Sequence, residues 1–155
     1  MPAIRTILFA TDFSDASEAA LDYAKTLAEA FGSSLHVLHV LEDLAAHAWT
    51  TEVYVAALPG VHEEMERQAR ERLEAVLTPD ERKRHRAVLV LRTGSPFVEI
   101  VRYAREERAD LIVLGTHGRG AIAHMLLGSV AERVVRKAHC PVLTVRQGEQ
   151  APEAS

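Results

Sequence analysis

The chain has 155 residues, 48% apolar and 26% charged, which suits one ordinary domain with enough apolar content for a core and excludes global disorder. A net charge of −4 offers no overall pull toward nucleic acid or anionic membranes, and no apolar run nears the roughly 18 residues of a membrane span. Cys140 is the only cysteine, so an intrachain disulfide is excluded and a reducing, cytoplasmic setting is expected.

Met1 to Arg5 leads directly into a strand-like run, Ile7-Leu8-Phe9-Ala10, without a signal-peptide h-region. Thr11-Asp12-Phe13-Ser14-Asp15 follows, with Ser14 and Asp15 as candidate N-caps and Asp15 and Glu18 at capping-box spacing. Ala20, Tyr23, Ala24, Leu27, Ala28 and Phe31 then form a helical stripe that Gly32 closes as C′ residue. Leu35 to Leu41 is the second strand run; His36 and His39 point to opposite faces of it and cannot form a paired metal site. Residues 42–60 lack a period and are long for a connection, so a lid or mobile loop is expected, with Trp49 in it.

A second stripe, Met65, Ala69, Leu73, Val76 and Leu77, carries outer pairs Glu63–Arg67 and Glu66–Arg70. Thr78-Pro79-Asp80-Glu81 has capping-box spacing for one short extra turn, and the basic run Arg82 to Arg86 reads as a solvated connector. Val88 to Leu91 is the third strand run. Phe97, Ile100, Val101 and Ala104 form the next helix, entered through Ser95 as N-cap and Pro96 as N1. Leu111 to Leu114 is the fourth strand run, followed by Gly115-Thr116-His117-Gly118-Arg119-Gly120 and, further on, Gly128-Ser129. Leu127, Val130, Ala131, Val134 and Ala138 form the last helix, and Val142 to Val145 the last strand. Residues 147–155 are polar and expected to be a disordered tail, leaving one domain over 1–146.

Five strand runs alternating with four helices predict an α/β fold: three layers around an open, five-stranded parallel sheet, Rossmann-like in plan. Ligands of such sheets bind outside the carboxyl ends of the strands. The suspicious residues lie after the first and fourth runs. Glycines there let backbone N–H groups approach an anion, and Gly128-Ser129 would place N–H groups at the positive end of a helix. The chain has no G-x-x-x-x-G-K-[ST], and Gly118-Arg119-Gly120 lacks the third glycine of the dinucleotide fingerprint.

Gly115-Thr116-His117-Gly118, nine residues, then Gly128-Ser129 resembles the G-x2-G-x9-G-[ST] signature of ATP-binding universal stress proteins. The flanks Ile7 to Asp12, Ala109 to Gly115, Gly128 to Val134 and Cys140 to Leu143 are similar to that family too, over about Ile4 to Arg146. The resemblance implies that Ala10, Thr11 and Asp12 contact adenine and ribose, and that Val40 offers backbone to the adenine edge. It implies that Leu114, Gly115, His117, Gly118, Gly128, Ser129 and Val130 surround ribose and phosphates. ATP, or ADP or AMP, would be the ligand, with Mg²⁺ or Mn²⁺ reached by Asp12 or Ser129. Ala131 stands where some relatives carry a hydroxyl, so one phosphate contact would be missing.

A regulatory or stress-response role through nucleotide-dependent conformation or assembly is the leading expectation, with no dedicated catalytic residue and no nucleic-acid or membrane partner. A slow ATPase or nucleotide-transferring enzyme, and a protein-interaction module without nucleotide, are the alternatives. A homodimer through Val142–Val145 is expected, because Pro141 marks an edge strand that no later segment covers.

Overall fold

The structure is a computed structural model, described here for residues 2–43, 58–117 and 127–147. Five strands and five helices follow in order among these residues, two helices standing between β2 and β3: β1 Thr6–Ala10, α1 Asp15–Phe31, β2 Ser34–Glu42, α2 Val61–Glu74, α3 Pro79–Arg84, β3 Val88–Gly94, α4 Pro96–Glu106, β4 Leu111–Gly115, α5 Ser129–Lys137 and β5 Val142–Val145. The order in the sheet is β3-β2-β1-β4-β5, every neighbour parallel. The expected three-layer α/β fold is the observed one.

The fifth helix is the correction to the count of four. Thr78 accepts from Glu81 N–H at 3.1 Å, and Glu81 Oε1 accepts from Thr78 N–H at 3.0 Å, so a complete capping box turns Pro79–Arg84 into a helix. The basic run therefore divides between the end of α3 and the turn into β3. Most of the segment 42–60, with Trp49, and the tail beyond residue 147 lie outside the described residues.

Alternate residues of each strand feed two cores. Ile7, Phe9, Leu35, Val37 and Val113 pack under α1 and α2, against Ala20, Ala24, Ala28 and Leu73. Leu8, Ala10, Leu38, Val40 and Ile112 pack under α4 and α5, against Ile100, Ala104, Ala131 and Val134. His36 and His39 go to opposite faces. Nδ1 of His36 lies 2.6 Å from the Tyr103 hydroxyl, and burial lowers the imidazole pKa; His39 stacks on Phe13.

Helix ends follow local chemistry with a few departures. Ser14, not Asp15, caps α1, accepting from Ser17 N–H at 3.3 Å, so the Asp15–Glu18 spacing forms no box. Gly32 closes α1 at φ 65°, a left-handed turn that favours glycine. Ser95 occupies the N-cap of α4 without a side-chain bond, and Pro96 is N1 as its fixed φ favours. On α2 Arg67 bonds Glu64 and Glu71 rather than Glu63, while Arg70 takes Glu66 at 3.0 Å.

Candidate functional site

From β1 the chain turns toward β2, and from β4 it turns toward β5, so adjacent connections leave in opposite directions between β1 and β4. Such a reversal opens a crevice at the carboxyl ends of the strands. A cleft of about 730 Å³ lies there. Its lining includes Ala10, Thr11, Asp12, Val40, Leu114, Gly115, His117, Gly128, Ser129 and Val130. Every described residue of the expected set is thus brought to one cleft; Gly118, with Arg119, lies outside the described residues.

The β1 end is a network of short bonds. Thr11 N–H donates to Leu38 O at 2.9 Å, and Nδ1 of His39 donates to Thr11 O at 2.7 Å, tying the ends of β1 and β2 together. Asp12 Oδ1 accepts from Ser14 N–H at 3.0 Å and from the Ser17 hydroxyl at 2.7 Å. Asp12 therefore braces the turn into α1 while its side chain borders the cleft. Among the described residues no cluster of three or more His, Cys, Asp or Glu is placed to hold a metal ion.

The β4 end is organised differently from the expectation. Thr116 N–H donates to Val145 O at 2.9 Å, and Thr116 O accepts from Gly128 N–H at 2.5 Å. The Gly128 N–H is thus spent on the chain itself and is not a donor toward the cleft. Nor is its backbone left-handed: φ is −67° and ψ 163°, an extended N-cap conformation open to any residue. The first intrahelical bond of α5 runs from Glu132 N–H to Gly128 O at 2.9 Å. Ser129, Val130 and Ala131 precede it, so their N–H groups have no intrahelical acceptor and sit at the positive end of the helix. Ala131 is buried and also lines the cleft. Nδ1 of His117 lies 3.0 Å from Thr116 Oγ1.

Gly115 has a packing reason of its own. A Cβ there would stand 3.0 Å from Ala16 backbone atoms, so any larger residue would press the first turn of α1 away from β4. Cys140 is half-buried with its thiol pKa raised by burial, the opposite of an activated nucleophile.

Sequence patterning missed one wall. Met65, Gln68, Ala69 and Arg72 of α2 line the cleft, opposite Pro96 and Ile100 of α4. The stripe of α2 pointed to a core, and Met65 and Ala69 belong to it; nothing in one chain's periodicity says that its upper half faces a cleft.

A family model for the universal stress protein family matches residues 3–146. The chain belongs to that family. A curated universal stress protein of Thermus aquaticus is 37% identical over 142 residues, covering 92% of this chain and 98% of the relative. Among solved structures, the Methanocaldococcus jannaschii universal stress protein MJ0577 superposes with a TM-score of 0.77 at 26% identity, over 96% of this chain and all of that one. Two further universal stress proteins, each 26% identical, were solved with nucleotides. One, in complex with cAMP, has a TM-score of 0.62 and covers 95% of this chain and 100% of its own. The other, from Archaeoglobus fulgidus in complex with dAMP, has a TM-score of 0.61 and covers 94% and 99%.

Proposed function

We propose that this universal stress protein binds an adenine nucleotide in the cleft between the β1 and β4 ends. It works in the cytoplasm as a regulatory or stress-response protein whose conformation or assembly follows nucleotide occupancy. The observation that carries the reading is the convergence of ten of the residues implied by the resemblance, Ala10 through Val130, on one cleft at the reversal of strand order. Its inner surface, with Ala10, Leu38, Val40 and Leu114, is apolar and suits a base. Its α5 side, with the N–H groups of Ser129 to Ala131, suits phosphate. The cAMP and dAMP complexes of similar proteins support the same ligand class.

ATP, ADP or AMP is the proposed ligand, with Mg²⁺ or Mn²⁺ carried on the phosphates and touched by Asp12 or Ser129. Assembly is proposed as a homodimer through β5. Calorimetry with ATP, ADP and AMP plus Mg²⁺, joined to mass spectrometry of ligand released on denaturation, tests the reading. Saturable heat with any of the three, or a recovered adenine nucleotide, is expected. A folded sample giving neither overturns it.

A further inference from the structure

Helix α2 carries three arginines, and its sequence treats one of them differently. Arg67 and Arg70 have glutamates three or four residues away and bond them. At those spacings around Arg72 stand Gln68, Ala69, Ala75 and Val76. Among the described residues Arg72 has no carboxylate within ion-pair distance. Its guanidinium carbon lies instead 4.5 Å from the centroid of the Phe13 ring.

That ring is a fixed platform. Phe13 adopts φ 64°, a left-handed conformation that is costly for an aromatic residue. Its N–H donates to Thr11 Oγ1 at 3.0 Å, and its ring stacks on His39 with centroids 4.2 Å apart. Thr11, Phe13, Ser17 and Arg72 line both the 730 Å³ cleft and a neighbouring cavity of about 290 Å³. Arg72 is the only lysine or arginine lining the larger cleft among the described residues, where Asp12 and Glu42 bring negative charge. Among the described residues, an anion entering there meets two carboxylates and one permanent cation.

Resting on the nucleotide reading above, we propose that Arg72 is a ligand-binding residue whose guanidinium donates to the phosphate groups of the bound nucleotide. Arg72 and the start of α5 line the cleft from opposite layers of the fold, and the guanidinium makes the cleft select nucleotides over nucleosides. A guanidinium already paired with glutamate would have to break that pair to take a phosphate. Among the described residues Arg72 gives up a cation–π contact alone and gains a forked, charge-assisted one. Its planar fork, not charge alone, carries the effect.

The test is calorimetry of the parent, Arg72→Gln and Arg72→Lys with ATP, AMP and adenosine, beside thermal unfolding of each variant. Arg72→Gln should weaken ATP about tenfold or more, the scale of a hydrogen bond to a charged group, and leave adenosine within about twofold. Arg72→Lys should fall between. A parent that binds none of the three overturns the nucleotide reading and this inference with it. A parent that binds, with Arg72→Gln equal to it for ATP, overturns this inference alone. Equal losses for ATP and adenosine also overturn it, because Arg72 would then shape the wall rather than hold phosphate. Arg72 is exposed, and should Arg72→Gln still fail to fold, the ATP-to-adenosine ratio of Arg72→Lys decides.

Discussion

A Cβ placed on Gly115 would stand 3.0 Å from the carbonyl carbon, carbonyl oxygen and Cβ of Ala16. This glycine at the end of β4 sets how closely the first turn of α1, which Asp12 and Ser14 organise, can approach the sheet. The contact is with helix backbone, which cannot swing aside as a side chain would. Gly115→Ala should therefore cost about 1–3 kcal/mol, the range for overpacking a tight site. Urea unfolding measures it, and a midpoint equal to the parent's would show that α1 yields freely.

Gly128 behaves in the opposite way. Its extended backbone conformation is one that any residue can adopt, so Gly128→Val should leave the fold nearly intact, losing about 1 kcal/mol or less from a poorer N-cap. The valine methyls at the entrance to α5 should abolish nucleotide binding. Ser129→Ala should weaken it by only about 0.5–1.5 kcal/mol, the worth of one neutral hydrogen bond. Calorimetry with ATP on both variants reads this. Parent-like binding by Gly128→Val would move the phosphate site away from α5.

The β5 edge offers a clean test of assembly. Pro141 O accepts from Ile112 N–H at 3.0 Å and Val145 O from Thr116 N–H at 2.9 Å, so these residues face β4. The alternation of a parallel ladder turns the N–H groups of Val142 and Thr144 outward, toward the open edge. Val142→Pro or Thr144→Pro removes an outward donor and spares the β4 bonds. Light scattering should find a dimer for the parent and a monomer for either variant. A monomeric parent, or a proline variant that stays fully dimeric, rejects the β5 interface.

Acid should loosen the α3 corner. Glu81 accepts from Lys25 Nζ at 2.8 Å and from Thr78 N–H, and these bonds hold its pKa down to about 2 from an ordinary 4.5. A depressed folded pKa adds stability above the unfolded value, and that gain is lost as pH falls from about 4.5 toward about 2. Glu81→Gln should lower stability at neutral pH and flatten the acid limb of the stability profile. Denaturant midpoints between neutral pH and the acid limb check it, and a limb of unchanged slope would remove Glu81 from the account.

The amino-acid sequence by itself determined the layers, the five strands and four of the five helices. Consecutive apolar runs such as Leu111 to Leu114 require helices on both faces, and stripes such as Ala20-Ala24-Ala28 supply them. The spacing of Gly115, Gly128 and Ser129 at strand and helix ends was equally legible, because it is local chemistry written in order along the chain. Only the tertiary structure decided what each group spends its bonds on. Gly128 N–H turns to Thr116, and Gly115 serves Ala16, because donors and free space are claimed by residues distant in sequence. Arg72 joined the cleft for the same reason. Its position follows from how α2 packs on β3 and β2, and a helical stripe records which face is buried but not which part of that face meets a crevice.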